Sequence, residues 1–146
     1  MKFPDEFLRG ITQKEQIGDN GFPSSSLFLF QDRKSQEKRA DKYLEESINW
    51  RDGKGAEDTL FNQERDDGRV QFRFGAAVVC RRELDRVIVK PVVNRQLSYE
   101  RKKIPENPYH GNLLLNKDVQ KRVRNQIAAT IAIMCVKEII PNPNAV

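Results

Sequence analysis

Histidine and tryptophan each occur once in this sequence, and cysteine twice. With a single imidazole, no two-histidine acid–base pair can form. One His and the widely separated Cys80 and Cys135 do not make a zinc-ligand spacing. Both cysteines stand in apolar runs, a context of buried free thiols in a reducing compartment rather than of a disulfide. No apolar run approaches the ~18 residues of a membrane span. The opening Met1-Lys2-Phe3-Pro4-Asp5-Glu6 lacks the apolar centre of a secretory signal, so a bacterial cytoplasm is the expected location. Walker-type glycine loops, Gly-x-Gly-x-x-Gly, His-Glu-x-x-His and Gly-x-Ser-x-Gly are all missing, and no cofactor is implied.

What is present suits one domain. A chain of 146 residues can bury roughly 68–70% of its unfolded surface without a staple. Apolar residues at 38% against charged residues at 32% give a modest core beneath a heavily charged surface. The formal charge of +5 permits an acidic partner or nucleic acid without demanding either. A protein partner is the first expectation, nucleic acid the second, and no membrane is involved. The oligomeric state is open.

Hydrophobic periodicity predicts a single α+β domain over 1–140, a mainly antiparallel sheet with a long C-terminal helix packed on it, and a short tail at 141–146. Strands are expected at about 27–30, 43–50, 69–80 and 86–93. In Tyr43–Trp50 the even positions Leu44, Glu46, Ile48 and Trp50 alternate with Tyr43, Glu45, Ser47 and Asn49. Val70, Phe72 and Phe74 alternate likewise, and Gly75 suggests a bulge. Thr12 before Glu15 predicts a short helix over 13–17, and Leu60 with Phe61 predicts another over 56–66, stopped by Gly68. Val119, Val123, Ile127, Ile131 and Met134 recur at helical spacing over 118–140, with Asn116 or Asp118 as cap. From Ile131 to Val136 that helix is apolar nearly all round, so its second half should be buried against the sheet. Residues 31–42, with Arg33, Lys34, Lys38 and Arg39, have no apolar period and read as an exposed connector.

The chemistry-bearing stretch is Lys103 to Leu115. Pro105 and Pro108 restrict the backbone around them, and Gly111 permits a positive φ directly after His110. His110 would stand on a rigid turn between Tyr109 and Asn112, able to act as a base with Tyr109 or Lys103 as its partner, or simply to tie the turn down. Arg95, Arg101, Lys102 and Lys103 around Leu97 and Tyr99 form a basic, partly aromatic approach to it. Trp50 reads first as a core anchor, and Asn49 beside it as a polar site residue or a strand-end cap.

Ser47-Ile48-Asn49-Trp50 together with Pro105-Glu106-Asn107-Pro108-Tyr109-His110-Gly111-Asn112 resembles a loose group of small, uncharacterised bacterial proteins with a Ser-x-Asn-Trp strand and a later Asn-Pro-x-His turn. The resemblance covers 43–115. It carries no established activity, adds weight to Asn49, Trp50 and His110, and implies by analogy an accessory role in phage-defence or toxin–antitoxin neighbourhoods. Phe7-Leu8-Arg9-Gly10-Ile11 followed by Ser24-Ser25-Ser26-Leu27 is similar to the Arg-Gly and Ser-rich strands of ADP-ribosyltransferases, which implies that Arg9 and a serine would hold NAD; no catalytic Glu strand follows.

Three functions are therefore open. The first is a non-enzymatic accessory component that contacts a protein or nucleic acid through the His110 turn. The second is a small nucleotide- or phosphodiester-processing enzyme, with His110 as base and Arg95, Arg101 or Lys103 holding phosphate. The third is the NAD-binding role of Arg9.

Overall fold

The computed structural model describes residues 3–31 and 42–145, so the basic connector with Arg33, Lys34, Lys38 and Arg39 lies outside the described residues. The strands are β1 (Glu6–Gly10), β2 (Tyr43–Trp50), β3 (Ala76–Cys80), β4 (Leu97–Arg101), β5 (His110–Asn116) and β6 (Val136–Ile140); the helices are α1 (Lys54–Phe61), α2 (Arg81–Ile88) and α3 (Lys121–Met134). The strands form one six-stranded sheet in the order β4-β5-β2-β1-β3-β6. Every neighbouring pair is antiparallel. The fold is α+β, with the C-terminal helix α3 packed on an antiparallel sheet. Among the described residues no helix is long and apolar enough to cross a membrane.

Strand alternation divides the interior in two. Phe7, Ile48, Trp50, Val79, Leu113 and Leu115 join Leu84 and Val87 of α2 and Ile127 and Ile131 of α3 in the main core. On the opposite face Leu8, Ala76 and Val78 meet Leu60 and Phe61 of α1 in a much smaller cluster, with Phe72 packed on it. Trp50 is fully buried and packs edge-on to Phe7 and Tyr99. Its indole N–H donates to the Glu100 carbonyl at 3.0 Å. That approach needs Gly111, since a Cβ there would run into the Trp50 ring and the Glu100 carbonyl. Gly111 is thus required for its missing side chain; it is not among the glycines with positive φ.

Several expected boundaries move. The run 27–30 is no strand: Ser25–Phe28 is a 3-10 turn whose Leu27 and Phe28 are buried in the main core. The stretch 86–93 is no strand either. Its first residues close α2, where Arg81–Asp85 at 3.0 Å and Arg86–Glu83 at 3.0 Å pair along one helix. The charged spacing outweighs the β-branched Val87-Ile88-Val89. The strand of 69–80 begins only at Ala76, because Gly75 turns the chain at φ +94°.

The helix expected to run to 140 ends at Met134, and Val136–Ile140 returns as the edge strand β6. Ile133 is left 82% exposed at the helix end, so the second half of α3 is not buried all round. Neither Asn116 nor Asp118 caps α3: Gln120 holds the cap position without a side-chain bond. The Arg124 guanidinium instead donates to the Val119 and Lys117 carbonyls at 2.8 and 2.9 Å. The expected helix at 13–17 is a 3-10 turn over Lys14–Gln16, and that at 56–66 is α1, starting earlier and stopping at Phe61. Past β6, Asn142 is buried and its amide donates to the Phe72 carbonyl at 3.1 Å.

Candidate functional site

β1 and β2 pair only at Phe7↔Trp50 and Leu8↔Asn49. The gap beyond Leu8↔Asn49 is bridged by Arg9, whose guanidinium donates to the Ser47 carbonyl (2.9 Å), the Leu27 carbonyl (3.1 Å) and the Glu46 carboxylate (2.6 Å). Glu46 is itself buried. A buried carboxylate needs such a partner, and a guanidinium this well satisfied acts as a stitch between strands.

A cleft of about 400 Å³ opens here, lined by Arg9, Gly10, Ser47 and Asn49 from the central strands and by Asn107 and His110 from the proline turn. Leu60, Gln63, Glu64, Gln71 and Phe72 form its other wall, with Ile104 and Glu106 at the rim of the turn. The apolar part of this lining, its floor, is Leu60, Phe72 and Ile104; the Ile48 side chain lies in the main core. The Phe72 ring packs directly over Gly10, where any Cβ would collide with it.

The His110 turn is fixed by an amide relay. β5 pairs with β2 so that Asn49 lies opposite His110. The Asn107 side-chain amide donates to Asn49 Oδ1 at 2.7 Å, and the Asn49 amide donates to the Ala56 carbonyl at 3.2 Å. Asn107 Oδ1 accepts the Tyr109 N–H at 3.0 Å, and the Trp50 N–H donates to the Tyr109 carbonyl at 2.8 Å. Ile104 and Asn107 exchange backbone hydrogen bonds across Pro105-Glu106. Asn49 and Asn107 are both buried, so these bonds replace water that has been lost.

His110 is half-buried and faces the cleft. Its Nδ1 lies 2.9 Å from the Lys102 carbonyl. A carbonyl only accepts, so Nδ1 carries the hydrogen, and in the neutral ring Nε2 is the acceptor. The chemistry on offer is acceptor-rich. Glu64 and Glu106 are exposed and make no ion pair among the described residues, and Gln63, Gln71 and Ser47 add neutral polar groups.

The remaining sequence-predicted residues lie elsewhere. Tyr109 packs against Gly55 at the start of α1 and does not line the cleft. Trp50 is in the main core. The Asn112 amide donates to the Glu100 carboxylate at 3.0 Å, and Arg101 is paired with Asp52. Lys103 is exposed outside the cleft, and Arg95 sits before β4, at the far end from Arg101. The structure therefore joins His110, Asn49 and Arg9 at one cleft but separates them from Arg95, Arg101 and Lys103. Sequence reasoning missed Asn107 as the relay and Glu46 as the partner of Arg9. The alternation of Tyr43–Trp50, which put Glu46 on the apolar face, was the available signal for the latter.

Away from the cleft, burial pushes the Cys135 thiol up to about 12, with Glu83 and Cys80 adding to it. Glu6 is held below its ordinary value, first by its hydrogen bond to Lys137 and then, against the cost of burial, by Lys137 charge and by Arg51. Among the described residues no group of three His, Cys, Asp or Glu side chains gathers where it could hold a metal ion. No family model, no curated protein and no solved structure matches the chain.

Proposed function

We propose that the protein is a non-enzymatic binding component whose cleft takes a Lys- or Arg-bearing segment of a protein partner. The observation that carries this is the polarity of the cleft. Its acceptors, Glu64, Glu106 and His110 Nε2, stand over an apolar floor, while its cation, Arg9, is already joined to Glu46. A lysine or arginine side chain matches both parts, with an apolar stem for the floor and a charged head for the carboxylates. The size is in the range of pockets that hold small ligands or side chains, about 300–1,000 Å³. This is the accessory role implied by the resemblance of Ser47–Trp50 and Pro105–Asn112 to small bacterial proteins.

The enzymatic alternatives draw less support. Phosphoryl chemistry asks for cations beside the base; Arg101 is paired with Asp52, and neither Arg95 nor Lys103 lines the cleft. A dinucleotide-binding Arg9 would have to give up Ser47, Leu27 and Glu46, and none of Ser24, Ser25 and Ser26 lines the cleft.

The test is a titration of isotope-labelled protein with short acetylated peptides carrying one Arg or Lys, against the same peptide with Ala. The amide signals of Asn49, Gln71 and His110 should shift with the cationic peptides alone. Glu64→Gln with Glu106→Gln should weaken that binding by about tenfold, the equivalent of about 1.4 kcal/mol. Equal shifts with the Ala peptide, or phosphodiester cleavage that disappears in His110→Ala, would overturn the proposal.

A further inference from the structure

The first turn of α3 holds the exposed cations Lys121 and Arg122 and no acid, and its last turn holds no cation. Neither Lys121 nor Arg122 makes an ion pair among the described residues, and Asp118, the nearest acid in the chain, lies ahead of the cap. Past the other end, Lys137 is held by Glu6. A helix carries about half a positive charge at its N-terminus and about half a negative one at its C-terminus. Lys121 and Arg122 thus stand where anions are favoured, and the end that favours cations has none of its own.

The length between the two ends is uncharged. From Asn125 to Val136 no residue carries a charge, in a chain where 32% do. The buried side of a helix requires apolar residues; its outward side does not. Yet Gln126, Ala129, Thr130 and Ile133 follow Arg122 along the outward side at helical spacing. Thr130 spends its hydroxyl on the Gln126 carbonyl at 2.8 Å. Ile133 is 82% exposed, the most of any large apolar side chain among the described residues, and Met134 follows it at 43%.

An acidic partner would match the first turn alone, and an apolar one the last turn alone. A membrane surface takes cations around the side chains that insert, whereas Arg122 and Ile133 stand about 16 Å apart along the axis. A second copy of α3 laid antiparallel matches both ends at once. With the two-fold axis between Gln126 and Ala129, Arg122 of each copy lies beside Ile133 and the negative helix end of the other. The Arg122 stem then covers Ile133, its guanidinium meets the last-turn carbonyls, and the small Ala129 lets the helices approach. We infer that the protein self-associates as an antiparallel two-fold dimer through Arg122, Gln126, Ala129, Thr130 and Ile133 of α3. One helix of about 21 Å per copy buries less than the roughly 1,200 Å² of a stable interface, so the dimer is reversible.

The experiment is sedimentation velocity of the full chain over about 10 μM to 1 mM. Wild type should pass from monomer to dimer as concentration rises. Arg122→Glu and Ile133→Lys should each weaken the dimer by about tenfold or more. Both suit a lone helix better than wild type, so the thermal midpoint of the dilute monomer should hold or rise. The two substitutions in one chain should restore the dimer, because each introduced carboxylate then faces an introduced ammonium group; parallel helices would set like charges together. Glu64→Gln with Glu106→Gln should dimerise as wild type does, and Ile133→Lys should bind cationic peptide as wild type does, so failure here and failure of the peptide cleft are told apart. A monomer at every concentration, an unchanged dimer in either single variant, no restoration in the double one, or retention of a monomer on phospholipid vesicles would each overturn the inference.

Discussion

The two ends of the β2–β5 ladder use the same residue types in opposite ways. At the Asn49–His110 end the arginines are consumed: Arg9 by Glu46, Arg51 by Glu6 and Glu57, Arg101 by Asp52. At the Tyr43–Asn116 end, about 20 Å away at the usual strand rise, Lys42, Arg95 and Lys117 are left without ion pairs among the described residues. A formal charge of +5 conceals this division. Cations engaged with carboxylates and carbonyls tie strands and loops together; cations left in water add to the surface potential.

The strongest way to break the contrast is to remove what both ends share. Trp50→Ala should cost about 3–5 kcal/mol in urea unfolding. It should speed amide hydrogen exchange at Asn49 and at Leu115 together, because the ring packs between Phe7 and Tyr99 under the shared ladder. A change confined to one end would show that the two ends fold independently.

Asn107→Ala should act on one end only. It leaves the buried Asn49 Oδ1 without its donor, a loss of about 1–3 kcal/mol, and should abolish the cleft's preference for cationic peptides. Self-association of the folded variant through α3 should not change. Peptide titration and sedimentation of one sample check this.

A smaller effect concerns pH. The Glu6 pKa is lower in the folded chain than its ordinary value, so its contribution to stability is complete above that ordinary value and is lost as pH falls through the folded one. Wild type should therefore lose stability more steeply than Glu6→Gln below about pH 4.3. Lys42→Ala with Lys117→Ala should retain the wild-type acid limb. Urea midpoints measured across the acid range decide it.

The smallest effect belongs away from both ends. With its thiol pushed up to about 12, Cys135 should resist maleimide at neutral pH, while the half-buried Cys80 reacts. Intact mass should show a single adduct, and peptide affinity should not shift. Two rapid adducts would show that the main core opens readily.

Legibility followed the range of the interactions. The β2 strand could be read because Leu44, Ile48 and Trp50 keep a period of two that any sheet position respects. α2 is hidden because Val87, Ile88 and Val89 favour strands locally, whereas Leu84 and Val87 reach the main core at helical spacing and Arg81–Asp85 and Arg86–Glu83 pair along the helix. β6 was absorbed into α3 because Val136 to Ile140 is apolar enough for either, and its choice depends on an open edge of β3 distant in sequence. At the site, His110 stood out as the single imidazole. The Asn49–Asn107 bond did not, because asparagines 58 positions apart carry no local sign of meeting. Arg9 joins two diverging strands through Glu46 and Ser47, contacts that its local Arg-Gly setting does not announce.

The strand order has a consequence for how the protein is made. β1 lies inside the sheet, yet β6, which covers the outer edge of β3, follows the other five strands in the chain. While the ribosome still holds β6, the nascent chain presents the Ala76–Val79 edge with its main-chain groups unpaired, an invitation to mispairing with another chain. Stalled chains ending before Val136 should be protease-sensitive, and stalled chains with Ile140 clear of the ribosome should not.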